Sequence, residues 1–255
     1  MNKVAFITGA GAGIGKGIAL RLAKDGFDIA INDLKETGLK ELAQEIKSLG
    51  VDCHYYVGDV SDEASVNQMF EDIMNDYDRV DVLINNAGIC PIRTIDKVTA
   101  ENFQKTFDIN VLSMMLCTQR AISMMIKQGG GKIINAASQS SFRETPMTFE
   151  YTTTKWAIRG MTRAMAASLA QYNITVNAYC PGTVITPMQE QIAENTAKMM
   201  NASIEDVRAV QTKSIPLGRF QTVEDVAGLV SFLASDDANN ITGQNILVNG
   251  GQVMN

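Results

Sequence analysis

The 255-residue chain has one histidine and four cysteines, Cys53, Cys90, Cys117 and Cys180, with no CxxC pair among them. The Cys/His spacing of a structural zinc site is missing, so no metal is expected. Scattered cysteines point to free, buried thiols in a reducing cytosol rather than to a disulfide framework, which makes a cytoplasmic location the expectation. No window approaches about 20 uninterrupted apolar residues, so no membrane span is expected. The first apolar run, beginning at Val4, is too short for a signal peptide and ends in glycines rather than a cleavage site. Positive charge is in deficit: 22 basic against 28 acidic residues give −6. That balance disfavours nucleic acid and anionic membranes as partners. There is no Pro/Gly/Ser linker, low-complexity tract or fixed-period repeat, so residues 1–255 are read as one domain.

What is present is the composition of an ordinary globular protein, 45% hydrophobic and 20% charged. It excludes disorder and collagen-like structure. Short apolar runs read as strands: Val4–Thr8, Ile29–Asn32, Cys53–Val57, Val80–Asn85, Lys132–Ala136, Ile174–Ala178 and Ile246–Val248. Several are nearly continuous in Val, Ile, Leu and Ala, as in strands buried on both faces of a parallel sheet. Amphipathic stretches lie between them, such as Ile14, Ile18, Leu22 and Ile158, Met161, Met165, Leu169. This alternation predicts an α/β fold: a single-domain, doubly wound parallel sheet of about seven strands with helices on both faces. Residues 183–216 break the rhythm with a polar, Met-rich helical insertion that suits a lid or pocket wall.

The first strand runs into Gly9-Ala10-Gly11-Ala12-Gly13-Ile14-Gly15 and then a helix. Glycines there allow a tight turn and close approach of backbone N–H groups to a pyrophosphate, beside the positive end of the helix. The second strand ends at Asp33, placed to accept hydrogen bonds from ribose hydroxyls and to repel a 2′-phosphate, so NAD (NADH) is expected over NADP. Lys35 lies close enough to soften that preference. Tyr151 and Lys155 stand four apart on one helix face. An ammonium beside a phenol lowers its pKa and makes the tyrosine a candidate acid or base at neutral pH. Ser138 follows a strand, where the active-site loops of open α/β sheets gather.

Taken together, these elements resemble the short-chain dehydrogenase/reductase family over essentially the whole chain. The family's glycine motif matches Thr8–Gly15, its Asp-Val pair Asp59-Val60, and its Asn-Asn-Ala-Gly motif Asn85–Gly88. Its catalytic Asn, Ser, Tyr and Lys match Asn110, Ser138, Tyr151 and Lys155, and its Pro-Gly stretch matches Pro181-Gly182, followed by Val184 and Thr186. The resemblance implies NAD against Gly9, Ala12, Gly13, Ile14, Gly15, Asp33, Asp59, Val60, Asn86, Ala87, Gly88, Pro181, Gly182, Val184 and Thr186. It implies Tyr151 as general acid/base, Lys155 lowering its pKa and holding the nicotinamide ribose, Ser138 orienting the substrate oxygen, and Asn110 holding a relay water.

Within the family the chain is most similar to acetoin reductases, also called 2,3-butanediol dehydrogenases, through phrases such as Gly131–Ala136, Ser138-Gln139 and Asn177–Gly182. The expected substrate is acetoin, diacetyl, 2,3-butanediol or a similar small diol, with Gln139 on a second oxygen. Arg93, Arg143 and Thr145 depart from that pattern on two loops that border the pocket. If both arginines face it, an anionic or highly polar polyol becomes the alternative. If they pair with acids such as Glu144 or Asp96, they are incidental. A sugar alcohol or a hydroxysteroid is a further alternative substrate, and a non-catalytic NAD-sensing protein an alternative function. The resemblance also implies a homotetramer, with Met114, Met115, Met124, Met125, Met161 and Met165 either at a subunit seam or in the core.

Overall fold

The computed structural model describes residues 2–143 and 147–254. One parallel sheet is built from β1 (Val4–Ile7), β2 (Asp28–Asp33), β3 (Cys53–Val57), β4 (Val82–Asn85), β5 (Gly131–Ala136), β6 (Ile174–Pro181) and β7 (Asn245–Val248). The spatial order is β3-β2-β1-β4-β5-β6-β7, so the winding reverses between β1 and β4. All four residues of β1 and of β4 are buried, as continuous apolar runs at the centre of a two-sided sheet require. Strand ends differ from the sequence reading by a few residues at most: β6 runs on to Pro181, because Cys180 and Pro181 still pair with Leu247 and Val248.

Helices cover both faces. On one side α1 (Gly13–Lys24), α2 (Leu39–Lys47) and α9 (Val223–Ala234) bury Ile18, Leu22, Leu42 and Val230. On the other, α3 (Glu63–Tyr77), α5 (Ser113–Lys127) and α6 (Phe149–Leu169) bury Phe70, Ile73, Leu116 and Leu169. Met114, Met124 and Met125 belong to this chain's own core, while Met115, Met161 and Met165 are partly buried beside it. All four cysteines are free thiols.

α4 (Ala100–Phe107), a π-turn over Asp108–Leu112 and α5 form one continuous run. By length and composition the run Ala100–Lys127 could cross a membrane, although polar residues interrupt it; half of its apolar window is buried inside the fold. The insertion before the last strand folds as α7 (Pro187–Met200) and α8 (Ile204–Lys213). Thr186 caps α7 by accepting from the Gln189 amide at 3.2 Å, with Pro187 in the first turn.

Candidate active site

The carboxyl ends of the strands and the reversal between β1 and β4 open a cavity of about 470 Å³. A ligand crevice belongs at this position in a doubly wound sheet. The glycine loop forms its floor. Gly9 sits at φ +63°, and a Cβ there would lie 2.8 Å from Ala87 Cα. A Cβ on Gly15 would collide with the Gly9 carbonyl and lie 2.6 Å from Asn86 Nδ2. Bare glycine is what lets these backbones pack and a ligand approach them. Ala12, the N-cap of α1, makes no side-chain capping bond. The first amides of the helix are thus left for an anionic ligand.

Asp33 closes the far end. Its carboxylate accepts from the Gly11 amide at 2.9 Å and from the Leu34 amide at 2.8 Å, which aims it without neutralising it. Asp59 and Val60 also line this end. In the middle, Asn86 donates to the carbonyls of Thr8 and Gly9, both at 2.9 Å, and accepts from the buried Tyr179 hydroxyl at 2.9 Å. Ala87 and Gly88 follow it along the wall, with Pro181, Gly182, Val184 and Thr186 opposite. Every position matched to the family's cofactor contacts therefore lines one cavity. A Cβ-free cradle, an uncapped helix start and a pinned carboxylate fit a dinucleotide.

At the other end Tyr151, Lys155 and Ser138 converge. Lys155 is 4% exposed, donates to the Ala136 carbonyl at 2.6 Å and lies 5.2 Å from the centroid of the Tyr151 ring. Burial pulls the Lys155 ammonium down to about 8. Burial also pushes the Tyr151 phenol up, Cys90 adds to that rise, and a hydrogen bond with Ser138 opposes it. The net direction differs from the sequence expectation: desolvation of the phenolate dominates, and the Ser138 hydrogen bond opposes it. Cys90 lines the same wall as a thiol whose pKa burial raises to about 12.

Asn110 lies behind the cavity wall, close to Lys155. It is carried by the π-turn, is 2% exposed and does not line the cavity. Its amide nitrogen donates to the Ile89 carbonyl at 2.9 Å and to Thr154 Oγ1 at 3.1 Å, and its oxygen accepts from the Ile89 amide at 2.8 Å. It ties the loop after β4 to α6 beneath Lys155. Gln139 does line the cavity, but its amide donates to Gln252 at 2.8 Å and its oxygen faces Asn249 at 3.5 Å, so it is committed to the C-terminal segment.

The two arginines separate. Arg93 is absent from the cavity wall. It forms an ion pair at 2.7 Å with Glu150, whose side chain is fully buried, and its amide bonds to the Met147 carbonyl. Leaving the fully buried Glu150 carboxylate unpaired would be costly, so Arg93 is committed to this pair. Arg143 lines the cavity. Thr145 and Glu144 lie outside the described residues. The sequence reading missed Tyr179, Thr154 and Gln221, which hold Asn86, Asn110 and the Gly182 amide. These ties reach 93, 44 and 39 residues along the chain, and no local motif marks them.

A family model described as enoyl-(acyl carrier protein) reductase matches residues 9–252. The diacetyl reductase [(S)-acetoin forming] of Staphylococcus epidermidis is 41% identical, with 99% of each chain covered. The L-2,3-butanediol dehydrogenase of Corynebacterium glutamicum is 42% identical over the full length of both. Among solved structures, acetoin dehydrogenase from Salmonella typhimurium is 35% identical over 99% of this chain and 97% of that one, with a TM-score of 0.86. An NAD+-bound xylitol dehydrogenase is 32% identical over 98% of both, with a TM-score of 0.94. With its cradle, its Ser-Tyr-Lys cluster and this end-to-end similarity, the chain belongs to the short-chain dehydrogenase/reductase family of nicotinamide-dependent oxidoreductases.

Proposed function

We propose that the protein is an NAD(H)-dependent reductase and dehydrogenase that interconverts small vicinal ketones and alcohols of the diacetyl, acetoin and 2,3-butanediol class. The observation that carries this reading is the Ser138–Tyr151–Lys155 cluster at one end of a cavity whose other end is a dinucleotide cradle. The substrates in the relatives' names support the choice of class. The pinned Asp33 supports NAD over NADP, because its negative charge stands where a 2′-phosphate would be repelled.

Bound nicotinamide supplies or accepts the hydride. The chain's residues handle the proton and the geometry. In reduction, Tyr151, kept protonated by burial, donates its hydroxyl proton to the carbonyl oxygen. Ser138 shares that oxygen and holds the phenol in line. Lys155, fixed by the Ala136 carbonyl, places a positive charge beside the phenolate left behind. In oxidation the phenolate takes the alcohol proton back. Asn110 keeps Lys155 and the Ile89 loop in register as a positioning residue. α7 closes the pocket with Met188 and Ile192. A cytoplasmic homotetramer is part of the same reading, with the exposed Trp156 and Phe149 of α6 as apolar surface for a subunit contact.

The test is oxidation of NADH at 340 nm with diacetyl and acetoin. Turnover is expected in the wild type. Tyr151→Phe should lower kcat at least about a hundredfold, as loss of a positioned acid does, while NADH binding measured by fluorescence persists. Equal turnover in Tyr151→Phe would remove the tyrosine from the chemistry.

A further inference from the structure

Charge is unevenly distributed along the cavity. Its only lining carboxylates among the described residues are Asp33 and Asp59. These follow β2 and β3, whereas Arg143 follows β5. The strand order puts β2 three positions and β3 four positions from β5. At about 4.8 Å per strand, the acids stand roughly 14–19 Å away from the substrate end. That end holds two cations, Lys155 and Arg143, and Glu150, the nearby acid, is absent from the wall and already paired with Arg93.

Lys155 has a partner in the Ala136 carbonyl. Among the described residues Arg143 has none: its Nε is buried without a hydrogen-bond partner, and it forms no ion pair with any of them. A buried guanidinium nitrogen without an acceptor is costly, and few such groups persist in folded proteins. The neighbouring Arg159 is different. It stacks on Phe142 at 4.0 Å and donates to the Ser141 carbonyl at 3.0 Å, so it props the loop that presents Arg143. Because Gln139 is committed to Gln252, Arg143 is the strong donor left at this end for a second group on the substrate.

We propose that Arg143 makes the pocket selective for ketones that carry an oxyanion (carboxylate, sulfonate or phosphate), held by its guanidinium while the carbonyl lies against Ser138 and Tyr151. Guanidinium groups bind such oxyanions through paired, charge-assisted hydrogen bonds. The inference rests on the reaction proposed above and adds a substrate class to it. The oxyanion is a spectator: the carbonyl carbon gains hydride from NADH and the oxygen gains the Tyr151 proton, giving the hydroxy anion and NAD+.

The test compares charged with neutral ketones by NADH oxidation: acetoacetate and sulfoacetone each against pentane-2,4-dione, and hydroxyacetone phosphate against hydroxyacetone. At least one anion is expected to exceed its neutral counterpart in kcat/KM by about tenfold or more. In Arg143→Gln that anion-to-neutral ratio should fall about tenfold through KM, with partial recovery in Arg143→Lys. Raising ionic strength should lower the same ratio in the wild type. The arm that responds identifies the oxyanion. If no anion exceeds its neutral partner, or if Arg143→Gln leaves the ratio unchanged, the inference is wrong. Diacetyl turnover separates the two claims. Its presence with indifferent anions defeats only this proposal, and its absence with a preferred anion defeats only the neutral-diol reading.

Discussion

At the residue scale the site is governed by desolvation. Tyr151 and Lys155 are both driven toward their neutral forms, the phenol upward and the ammonium down to about 8. The sign of the resulting pH dependence follows. Below about 8 Lys155 is charged and supports the phenolate formed in reduction; above it the charge is lost. The kcat for reduction should therefore fall as pH rises through about 8, approaching tenfold per unit. Lys155→Arg, whose charge persists to far higher pH, should lose this alkaline limb even if its rate is lower. A wild-type profile flat from about pH 7 to 10 would show that the ammonium does not matter to the step.

At the element scale, one contact joins the loops on either side of the pocket. Arg93, after β4, and Glu150, in the first turn of α6, pair at 2.7 Å, and a backbone bridge links Arg93 with Thr148. Glu150 precedes Tyr151, so this clasp fixes the start of the helix that carries the phenol. Removing one partner of a buried pair costs about 3–5 kcal/mol. Arg93 keeps about a third of its side chain exposed (32%), so the lower end applies. Arg93→Ala should lower stability by about 3 kcal/mol, a drop in Tm of roughly 6–12 °C at this chain length. The double variant Arg93→Met, Glu150→Met should recover much of that loss, since no unpaired carboxylate remains. If the double variant is no more stable than Arg93→Ala, the contact matters through packing rather than charge.

At the scale of the whole molecule, the cradle draws on distant parts of the chain: Asp33 ends β2, Asn86 follows β4, and Tyr179 and Thr186 come from β6 and its connection to α7. Cofactor binding should therefore stabilise the entire fold. At a hundred times its Kd, NADH is expected to add about 2.7 kcal/mol, or roughly 5–10 °C in Tm. NADPH at the same concentration should give a smaller shift, and Asp33→Ala should narrow the gap between the two. Equal shifts from both nucleotides in the wild type would show that Asp33 does not select against the 2′-phosphate.

The seven strands, their parallel pairing, the glycine cradle and the Ser138–Tyr151–Lys155 cluster were legible in the sequence. The strands, their pairing and the cradle rest on local chemistry, continuous apolar runs and glycines at a strand-to-helix turn; the cluster was read from helical spacing together with the family resemblance. The fates of the polar side chains were not local. Whether Arg93 or Arg143 faces the pocket depends on which of them meets the buried Glu150, and that meeting joins positions 57 residues apart. The engagement of Asn110 with Ile89 and Thr154 and of Gln139 with Gln252 was likewise decided by packing across the sheet edge. The balance at Tyr151 turned on burial, which is a property of everything folded around it. Sequence determined which groups are present and on which elements they ride; the tertiary structure decided which of them are left unpaired for a ligand, because a charge already satisfied inside the fold is no longer available to one.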